Sequence, residues 1–285
     1  MQSVHYTINL IPIFAEDFLM MSKQKMKKSL SKTSAMHYTK LIFRSALFLI
    51  ALAVYLYNRI SGTGEYFGGL DKRPFILSFI WIVFVGEMIL RFFPSKLESM
   101  GCQKQFRQSF VPTKNSEPQN ISWKSTFSIV AAWVALNGLI GVLNYTAIID
   151  EGILLLISLL YSACDMICIL FFCPFQTWFM NNKCCTTCRI YNWDYAMMFT
   201  PLVFTKSPFY RSILICALIL LARWEITYKL HPEWFSETTN CSLSCANCEE
   251  KLCHHKRQLK GFLNKNKAYL QLKGNTIIES YKKSK

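Results

Sequence analysis

The chain has 285 residues, of which 52% are hydrophobic and 17% charged, and its formal net charge is +15 at neutral pH. This apolar content exceeds what one globular core of this size requires, and the mean hydropathy of +0.21 is typical of a membrane protein. The sequence contains no glycine-rich phosphate loop, Ser-His-Asp arrangement, HExxH motif or internal repeat, so nothing in it indicates a hydrolase or an ATPase.

Residues 1–40 form a basic arm. An apolar run near Ile11 precedes the basic cluster and is interrupted by Glu16 and Asp17, which is not the pattern of a cleaved signal peptide. The arm carries six lysines from residue 23 onward, and by the positive-inside rule they predict a cytoplasmic location. Because these lysines adjoin an apolar segment, membrane topology and attraction to anionic lipid explain them, and no nucleic-acid partner is expected.

Four apolar windows predict transmembrane helices, at residues 41–57, 75–93, 127–149 and 153–173. Each is near the ~20 residues that a helix needs to cross a hydrocarbon core of roughly 30 Å. The connection 94–124 carries five lysine or arginine residues, whereas the turn 150–152 carries none. The cysteines that follow the fourth window are therefore predicted to face the cytoplasm.

The apolar region 195–222 is interrupted by Pro201 and Pro208 and divides into pieces of 10 and 14 residues. Neither piece alone spans a bilayer comfortably at ~1.5 Å per residue. We predict a short helical hairpin, formed either by two thin spans or by a re-entrant dip, because both return the basic tail to the cytoplasm. A single kinked span is the alternative, and it would place that tail outside. The predicted fold is an all-α polytopic transmembrane bundle of four clear spans plus this hairpin, about six membrane segments.

Three regions follow from this topology. The basic arm 1–40 precedes a transmembrane domain at 41–226, and a basic tail rich in cysteine occupies 227–285. A cytoplasmic cysteine loop, residues 173–194, lies within the second region. We expect a multi-pass protein of the plasma (cytoplasmic) membrane with both termini in the cytoplasm.

Two groups of cysteines are predicted to share one cytoplasmic surface. Disulfides are rare in the reducing cytosol, so Cys-x2-Cys pairs there favour metal ligation or redox chemistry. Two thiolates at this spacing on a tight turn can reach one ion at roughly 2.3 Å. Cys164, Cys168 and Cys216 lie in apolar segments and are interpreted as small packing residues. The candidate metal ligands are Cys184, Cys185, Cys188, Cys241, Cys245, Cys248 and Cys253, with Cys173 and His254 as possible additional ligands.

The predicted cofactor is an iron–sulfur cluster or zinc, and the spacing leaves both open. Two Cys-x2-Cys pairs describe tetrahedral structural zinc, which would clamp the loop to the tail and make the protein a scaffold. The spacing Cys241-x3-Cys245-x2-Cys248 could instead wrap a cubane that serves electron transfer or redox sensing. No catalytic residue is assigned. A membrane thiol oxidoreductase that uses Cys185 and Cys188 is a further alternative, and it predicts a depressed thiol pKa.

The stretch "FFCPFQ" at 171–176 places a Cys-Pro at the predicted cytoplasmic end of a span, and further cysteines follow. In these residues the chain resembles membrane-anchored ferredoxin-type proteins, which pass electrons from quinol pools through iron–sulfur clusters. The resemblance implies an electron-transfer role. It also implies a redox partner protein or a quinone as a partner, besides the lipid bilayer.

Four ionisable side chains within the apolar windows are candidate functional positions, because charges inside a membrane are costly. Glu87 and Arg91 are four residues apart, so they share a helix face and can pair. Asp165 could hold a proton or balance Arg44 or Arg91, and a purely structural ion pair is the alternative. Together with the cysteines, these groups suggest a second class of function, a soft-metal transporter whose broken hairpin helps to build the substrate path.

Overall fold

The structure, a computed structural model, describes residues 32–62, 67, 74–94, 100–114, 117–118, 123–180 and 184–244. In these ranges the protein is mostly helical and contains no strand. An isolated antiparallel bridge joins Pro112 to Asn240. The predicted all-α class is confirmed for this part of the chain.

The α-helices of the described residues are, in chain order, α1 (Lys32–Ser61), α2 (Pro74–Leu90), α3 (Met100–Gln103), α4 (Trp123–Tyr145), α5 (Glu151–Leu170), α6 (Asp194–Phe199) and α7 (Pro208–Leu230). A π-helical turn (Phe175–Phe179) follows α5, and a 3-10 turn (Thr200–Phe204) extends α6. Three helices, α1 from Ala35 onward, α4 and α5, are long and apolar enough to cross a membrane.

The structure differs from the apolar windows at α1 and α2. Helix α1 begins at Lys32, inside the predicted basic arm, because apolarity marks only the part of a helix suited to hydrocarbon and not where its hydrogen bonding begins. Helix α2 has 17 residues and ends before Arg91, where the chain turns, so it is shorter than its predicted window. It is not among the three helices that qualify as spans by length and composition.

Helices α1 and α5 pack antiparallel. The Tyr55 hydroxyl donates to Asp150 Oδ2 over 2.8 Å beside the start of α5, whereas the Tyr38 ring lies 6.3 Å from the Phe171 ring beyond its end. Residue numbers thus rise along α1 while they fall along α5. We call the two ends of the bundle the Asp150 end and the Cys-loop end.

The chain folds back on itself around Lys206. The backbone N–H of Lys206 donates to Glu151 Oε1 over 3.2 Å at the Asp150 end. At the Cys-loop end, Arg189 Nη1 donates to Glu225 Oε1 of α7 over 2.7 Å. Residues 194–204 therefore run from the Cys-loop end to the Asp150 end, and α7 returns.

The two arms of this hairpin are unequal. The outgoing arm joins the six-residue α6 to a five-residue 3-10 turn, whereas α7 has 23 residues and continues through Arg223 and Glu225. Tyr195, Met198 and Leu202 of the outgoing arm are each 1% exposed. The surrounding helices therefore cover this irregular backbone, which is the condition under which such backbone is tolerated at membrane depth.

The arm approaches α4 closely at Gly141. A Cβ atom at position 141 would lie 2.5 Å from the Phe204 ring, so the ring would have to shift. At Gly138 of the same helix, an added Cβ would have no atom of another described element within 4 Å. The two glycines are therefore a matched pair in which only one contacts the arm.

We expect Gly141→Ala to destabilise the protein by about 1–3 kcal/mol through overpacking. Gly138→Ala should be neutral or stabilising by up to ~1 kcal/mol, because alanine favours a helix more than glycine does. Denaturant titration of both variants in detergent measures the difference. Equal stabilities would contradict the close approach of Phe204 to α4.

Candidate functional site

A cavity of about 150 Å³ lies at the Cys-loop end of the bundle. Five cysteines from separate stretches of chain line it, and we call it the thiol chamber. The cysteines are Cys164 and Cys168 of α5, Cys173 just beyond α5, and Cys185 and Cys188 of the following loop. Other lining residues are the aromatic Trp133, Tyr161, Phe175 and Tyr191, the thioethers Met197 and Met198, and the polar Gln176, Asp165 and Asp194.

Helical spacing brings the first three thiols together. Cys164 and Cys168 are four residues apart, so they lie one above the other on the same face of α5. The helix ends at Leu170, shortly before Cys173 and Pro174, where proline disfavours helical backbone in the preceding residue. The thiol groups of Cys168 and Cys173 are hydrogen-bonded to each other.

A tight turn supplies the other two thiols. The backbone N–H of Cys188 donates to the carbonyl of Cys185 over 3.0 Å, which closes the turn. The Cys185 thiol donates to Gln176 Oε1 over 2.9 Å, and the backbone N–H of Gln176 donates to Cys173 Sγ over 3.4 Å. Gln176 therefore bridges the loop thiols and the thiols next to α5.

The Cys188 side chain is only 7% exposed. This burial raises the pKa of the Cys188 thiol to about 12, so the thiol is protonated at neutral pH. A thiol oxidoreductase requires the opposite shift for its attacking cysteine. Binding of a metal by Cys188 would instead displace the proton from sulfur.

Polar contacts hold the cysteine loop in place. Glu225 of α7 accepts from Arg189 Nη1 over 2.7 Å and from the Trp193 indole over 2.6 Å. Gln105 donates to the carbonyl of Thr186 over 2.6 Å and accepts from Asn192 over 2.8 Å. These contacts fix the loop against α7 and against the segment that follows α3.

Gly101 of α3 permits the close approach of that segment to the loop. A Cβ atom at this position would lie 2.5 Å from Thr186 Cγ2 and 2.7 Å from the Tyr191 hydroxyl. Any larger residue would push against the loop that carries Cys185 and Cys188. The wall of the thiol chamber thus depends on a glycine far from it in the sequence.

The predicted intramembrane charges form ion pairs beside the chamber. Arg44 is 2% exposed, and it pairs with Glu87 over 2.6 Å and with Asp165 over 3.1 Å. Glu87 also accepts from the Tyr195 hydroxyl over 2.8 Å. Asp165 is thus a wall residue of the chamber, and its carboxylate contacts Arg44.

A second buried pair joins Arg91 to Asp194 over 2.6 Å. The Arg91 guanidinium also lies over the Tyr195 ring, 4.8 Å from its centroid. The four-residue spacing predicted that Arg91 can pair with Glu87. In the structure, Arg91 contacts Asp194 and Glu87 contacts Arg44. These partners are set by the packing of separate elements against one another, which residue spacing along one helix cannot predict.

The structure divides the predicted metal ligands. Cys173, Cys185 and Cys188 line the thiol chamber, but Cys184 and Cys241 do not. The Cys184 thiol lies 3.0 Å from the Thr186 hydroxyl, and the backbone N–H of Cys241 donates to Val111. Cys245, Cys248, Cys253 and His254 lie outside the described residues, and their part in a shared site stays a prediction.

The sequence analysis did not assign two of the chamber's cysteines to a site. Cys164 and Cys168 were interpreted as packing residues because they lie in an apolar segment, yet they line the same cavity as the loop thiols. Their four-residue spacing, which places both on one face of a helix, was a signal that they act together. Asp194 had no such signal, because only the fold-back of the hairpin brings it to the chamber.

The chamber offers thiols and thioethers, the donors that suit zinc, copper(I) and iron–sulfur centres. Among the residues that the structure describes, no three His, Cys, Asp or Glu side chains are grouped closely enough to hold one ion. The donor types therefore fit a soft metal, but the described side chains do not gather three of these donors around one point. In comparisons with known proteins, no family model, curated protein or solved structure matches this chain.

Proposed function

We propose that this chain is a multi-pass membrane protein whose thiol chamber binds a metal centre on the cytoplasmic side, serving electron transfer or redox sensing. The observation that carries this proposal is the lining of one cavity by five cysteines from separate parts of the chain. Apolar packing alone does not account for them, because they border an open cavity and do not fill a close-packed core. Thiols converging on a space large enough for a ligand are the chemistry of a soft-metal site.

The proposed topology has six membrane segments: α1, α2, α4, α5, the 194–204 arm and α7. Both described ends of the chain then lie at the Cys-loop end. Lys104, Arg107 and Lys114 lie in the connection between α2 and α4, which is also at that end, and Lys124 lies in the first turn of α4. This distribution supports a cytoplasmic Cys-loop end by the positive-inside rule.

Labelling of intact cells with a membrane-impermeant maleimide tests this orientation. Lys206→Cys, at the Asp150 end, should be labelled above the wild-type background in intact cells. Lys114→Cys, in the connection at the other end, should gain label only after lysis. The reverse pattern would place the chamber outside the cell and remove the cytoplasmic metal centre.

The contacts of the loop favour a functional metal over a structural clamp. The loop that carries Cys185 and Cys188 is already fixed by Glu225 and Gln105 through side-chain contacts. A zinc ion is therefore not required to hold the loop to the bundle. A metal bound in the thiol chamber would have no structural task there, so it could serve redox chemistry or exchange.

Anaerobic purification followed by metal and acid-labile sulfide analysis tests the proposal. We expect about one metal centre per chain, because a tetrahedral ion or a cubane each uses four thiolates and the chamber has five cysteines. Iron with sulfide and visible absorbance would support electron transfer, whereas stoichiometric zinc in a colourless sample would eliminate it. Protein without bound zinc, copper or iron would contradict the metal centre itself.

Soft-metal transport is the second candidate, and one observation favours it. Cys164 and Cys168 extend the chamber from the loop toward the middle of α5, about one helical turn, or ~5.4 Å, apart. Thiols at successive depths could pass a copper(I) or zinc ion from one to the next. Asp165 lies between them in sequence and also lines the chamber.

Flux into proteoliposomes tests transport. We expect zinc or copper(I) uptake by the wild type and its loss in Cys164→Ser, which removes the deepest thiol while leaving the loop thiols intact. Flux that survives Asp165→Asn would remove the role of that carboxylate. A wild type without flux would eliminate transport and leave the bound metal centre.

A further inference from the structure

Two of the five thiols in the chamber are in direct contact. Cys168 of α5 and Cys173, just beyond the helix end at Leu170, are joined by a thiol–thiol hydrogen bond. Both side chains are half-buried and line the thiol chamber. A tetrahedral metal site needs four donors, and this pair supplies two. Two thiols in contact are, however, sufficient for another reaction, the formation of a disulfide bond.

The two loop thiols have different partners. The Cys185 thiol donates to Gln176 Oε1 over 2.9 Å, and the Cys188 sulfur accepts from the backbone N–H of Ile190. These contacts distinguish the loop thiols from Cys168 and Cys173, whose thiols bond to each other. The pair that contact favours for oxidation is therefore not the Cys-x2-Cys pair that the sequence indicated.

The two members of the contacting pair are not equivalent. The backbone N–H of Gln176 donates to the Cys173 sulfur over 3.4 Å. Hydrogen bonds donated to sulfur stabilise the thiolate, which is the nucleophilic form. Cys173 is therefore the member that reacts first, and Cys168 keeps its proton in the bond between them. Because α5 ends at Leu170, the backbone at Cys173 can adjust without loss of a helical hydrogen bond.

Hydrogen peroxide is the oxidant that fits this chamber. Aromatic side chains, among them Trp133, Tyr161 and Phe175, form much of the wall, so an uncharged reagent enters at a lower cost than an ion. A cavity of ~10–15 Å³ is enough for one water molecule, so a chamber of about 150 Å³ has room for peroxide beside the thiols.

We propose that Cys168 and Cys173 are a redox pair that hydrogen peroxide converts to a disulfide. The Cys173 thiolate attacks one peroxide oxygen, the O–O bond breaks, and the second oxygen leaves as water with the proton that Cys173 gave up, which yields a sulfenic acid. The Cys168 sulfur then attacks the Cys173 sulfur, the S–O bond breaks, and the hydroxyl leaves as a second water with the Cys168 proton. Two electrons pass from the thiols to one peroxide. Exchange with two molecules of a small cellular thiol restores the pair.

Disulfide formation needs no metal, and only its consequence rests on the proposed function. Oxidation leaves three thiols in the chamber, too few for a tetrahedral all-cysteine centre. Metal binding requires free sulfur that can lose its proton, so a disulfide prevents it. Oxidation of Cys168 and Cys173 therefore blocks metal loading, and this is the chemical event that a redox sensor of this design detects.

Differential alkylation of the metal-free, full-length protein in detergent tests the pair. After treatment with stoichiometric hydrogen peroxide, free thiols are blocked with light iodoacetamide. The thiols recovered by reduction are labelled with heavy iodoacetamide and located by mass spectrometry. We expect heavy label on Cys168 and Cys173 at least tenfold above that on Cys185 and Cys188. Heavy label confined to Cys185 and Cys188, or absent from all four, would overturn the proposal.

Single variants assign the two roles. Cys168→Ser should prevent the disulfide and leave a sulfenic acid at Cys173, which dimedone traps in at least tenfold greater yield than in the wild type. Cys173→Ser should lower the rate of thiol loss at least tenfold, because the nucleophile is missing. Cys216→Ser, in α7 outside the chamber, is the matched control and should react as the wild type does. Thiol loss at the wild-type rate in Cys173→Ser would overturn the assignment.

Metal loading separates this proposal from the proposed metal centre. The reduced and the peroxide-treated proteins are each given zinc, or ferrous iron with sulfide, in separate reactions. We expect the disulfide form to bind at least tenfold less metal and to recover after reduction with dithiothreitol. Metal binding by a protein that forms no disulfide would overturn the redox pair and leave the metal centre. A disulfide in a protein that binds no metal would do the reverse, and equal metal binding by both forms would overturn the link between them.

Discussion

Replacement of Arg44 by leucine is expected to reduce the free energy of unfolding by about 3–5 kcal/mol. Arg44 is 2% exposed and neutralises two carboxylates, Glu87 and Asp165, which would be left buried without their cation. It also donates to the carbonyl of Ser162 and to the Tyr195 hydroxyl. The substitution therefore leaves several acceptors unpaired at once.

The control is Arg59→Leu, in the same helix but exposed to solvent. It should change the unfolding free energy by no more than ~0.5 kcal/mol. Arg44→Lys keeps the charge but cannot reproduce the planar fork that reaches both carboxylates, so it should fall between the two. Denaturant titration in detergent measures all three. A loss for Arg44→Leu no larger than that for Arg59→Leu would show that Arg44 is not a buried structural cation.

The double variant Cys185→Ser, Cys188→Ser should lose nearly all of the bound metal. These are two of the five cysteines that line the thiol chamber, so their removal leaves three, too few thiolates for a tetrahedral all-cysteine centre. Cys216→Ser is the matched control, because Cys216 is a half-buried cysteine of α7 outside the chamber. It should keep the metal content of the wild type.

Metal analysis of the three proteins, purified side by side, measures this effect. Retention of the tryptophan emission spectrum shows that the double variant has kept its fold. Unchanged metal content in the double variant would place the metal elsewhere, for example on the cysteines after residue 244. Loss of metal in Cys216→Ser would show that the assay follows stability and not ligation.

The helices were predictable where apolar content alone defines them. The windows around α1, α4 and α5 match helices that are long and apolar enough to cross a membrane. The true length of α7 was not predictable, because Arg223 and Glu225 interrupt its apolarity while their partners lie on other elements. Arg223 Nη1 donates to the carbonyl of Arg91, and Glu225 accepts from Arg189.

The thiol chamber was predictable only in part. The Cys-x2-Cys spacing identified Cys185 and Cys188 as candidates, because the tight turn that carries them is formed by residues adjacent in sequence. The contribution of Cys164 and Cys168 depends on which face of α5 turns toward the loop, and tertiary packing decides this.

Isotope-coded alkylation of the metal-loaded protein, read by mass spectrometry before and after chelation, tests the metal centre most directly. Cys173 and Cys185 are the reporters, since both line the thiol chamber and are half-buried, and Cys241 is a half-buried cysteine outside it. We predict that chelation raises the alkylation rate of Cys173 and Cys185 at least tenfold and leaves that of Cys241 unchanged. Equal rates before and after chelation at both chamber cysteines would contradict thiol ligation in the chamber.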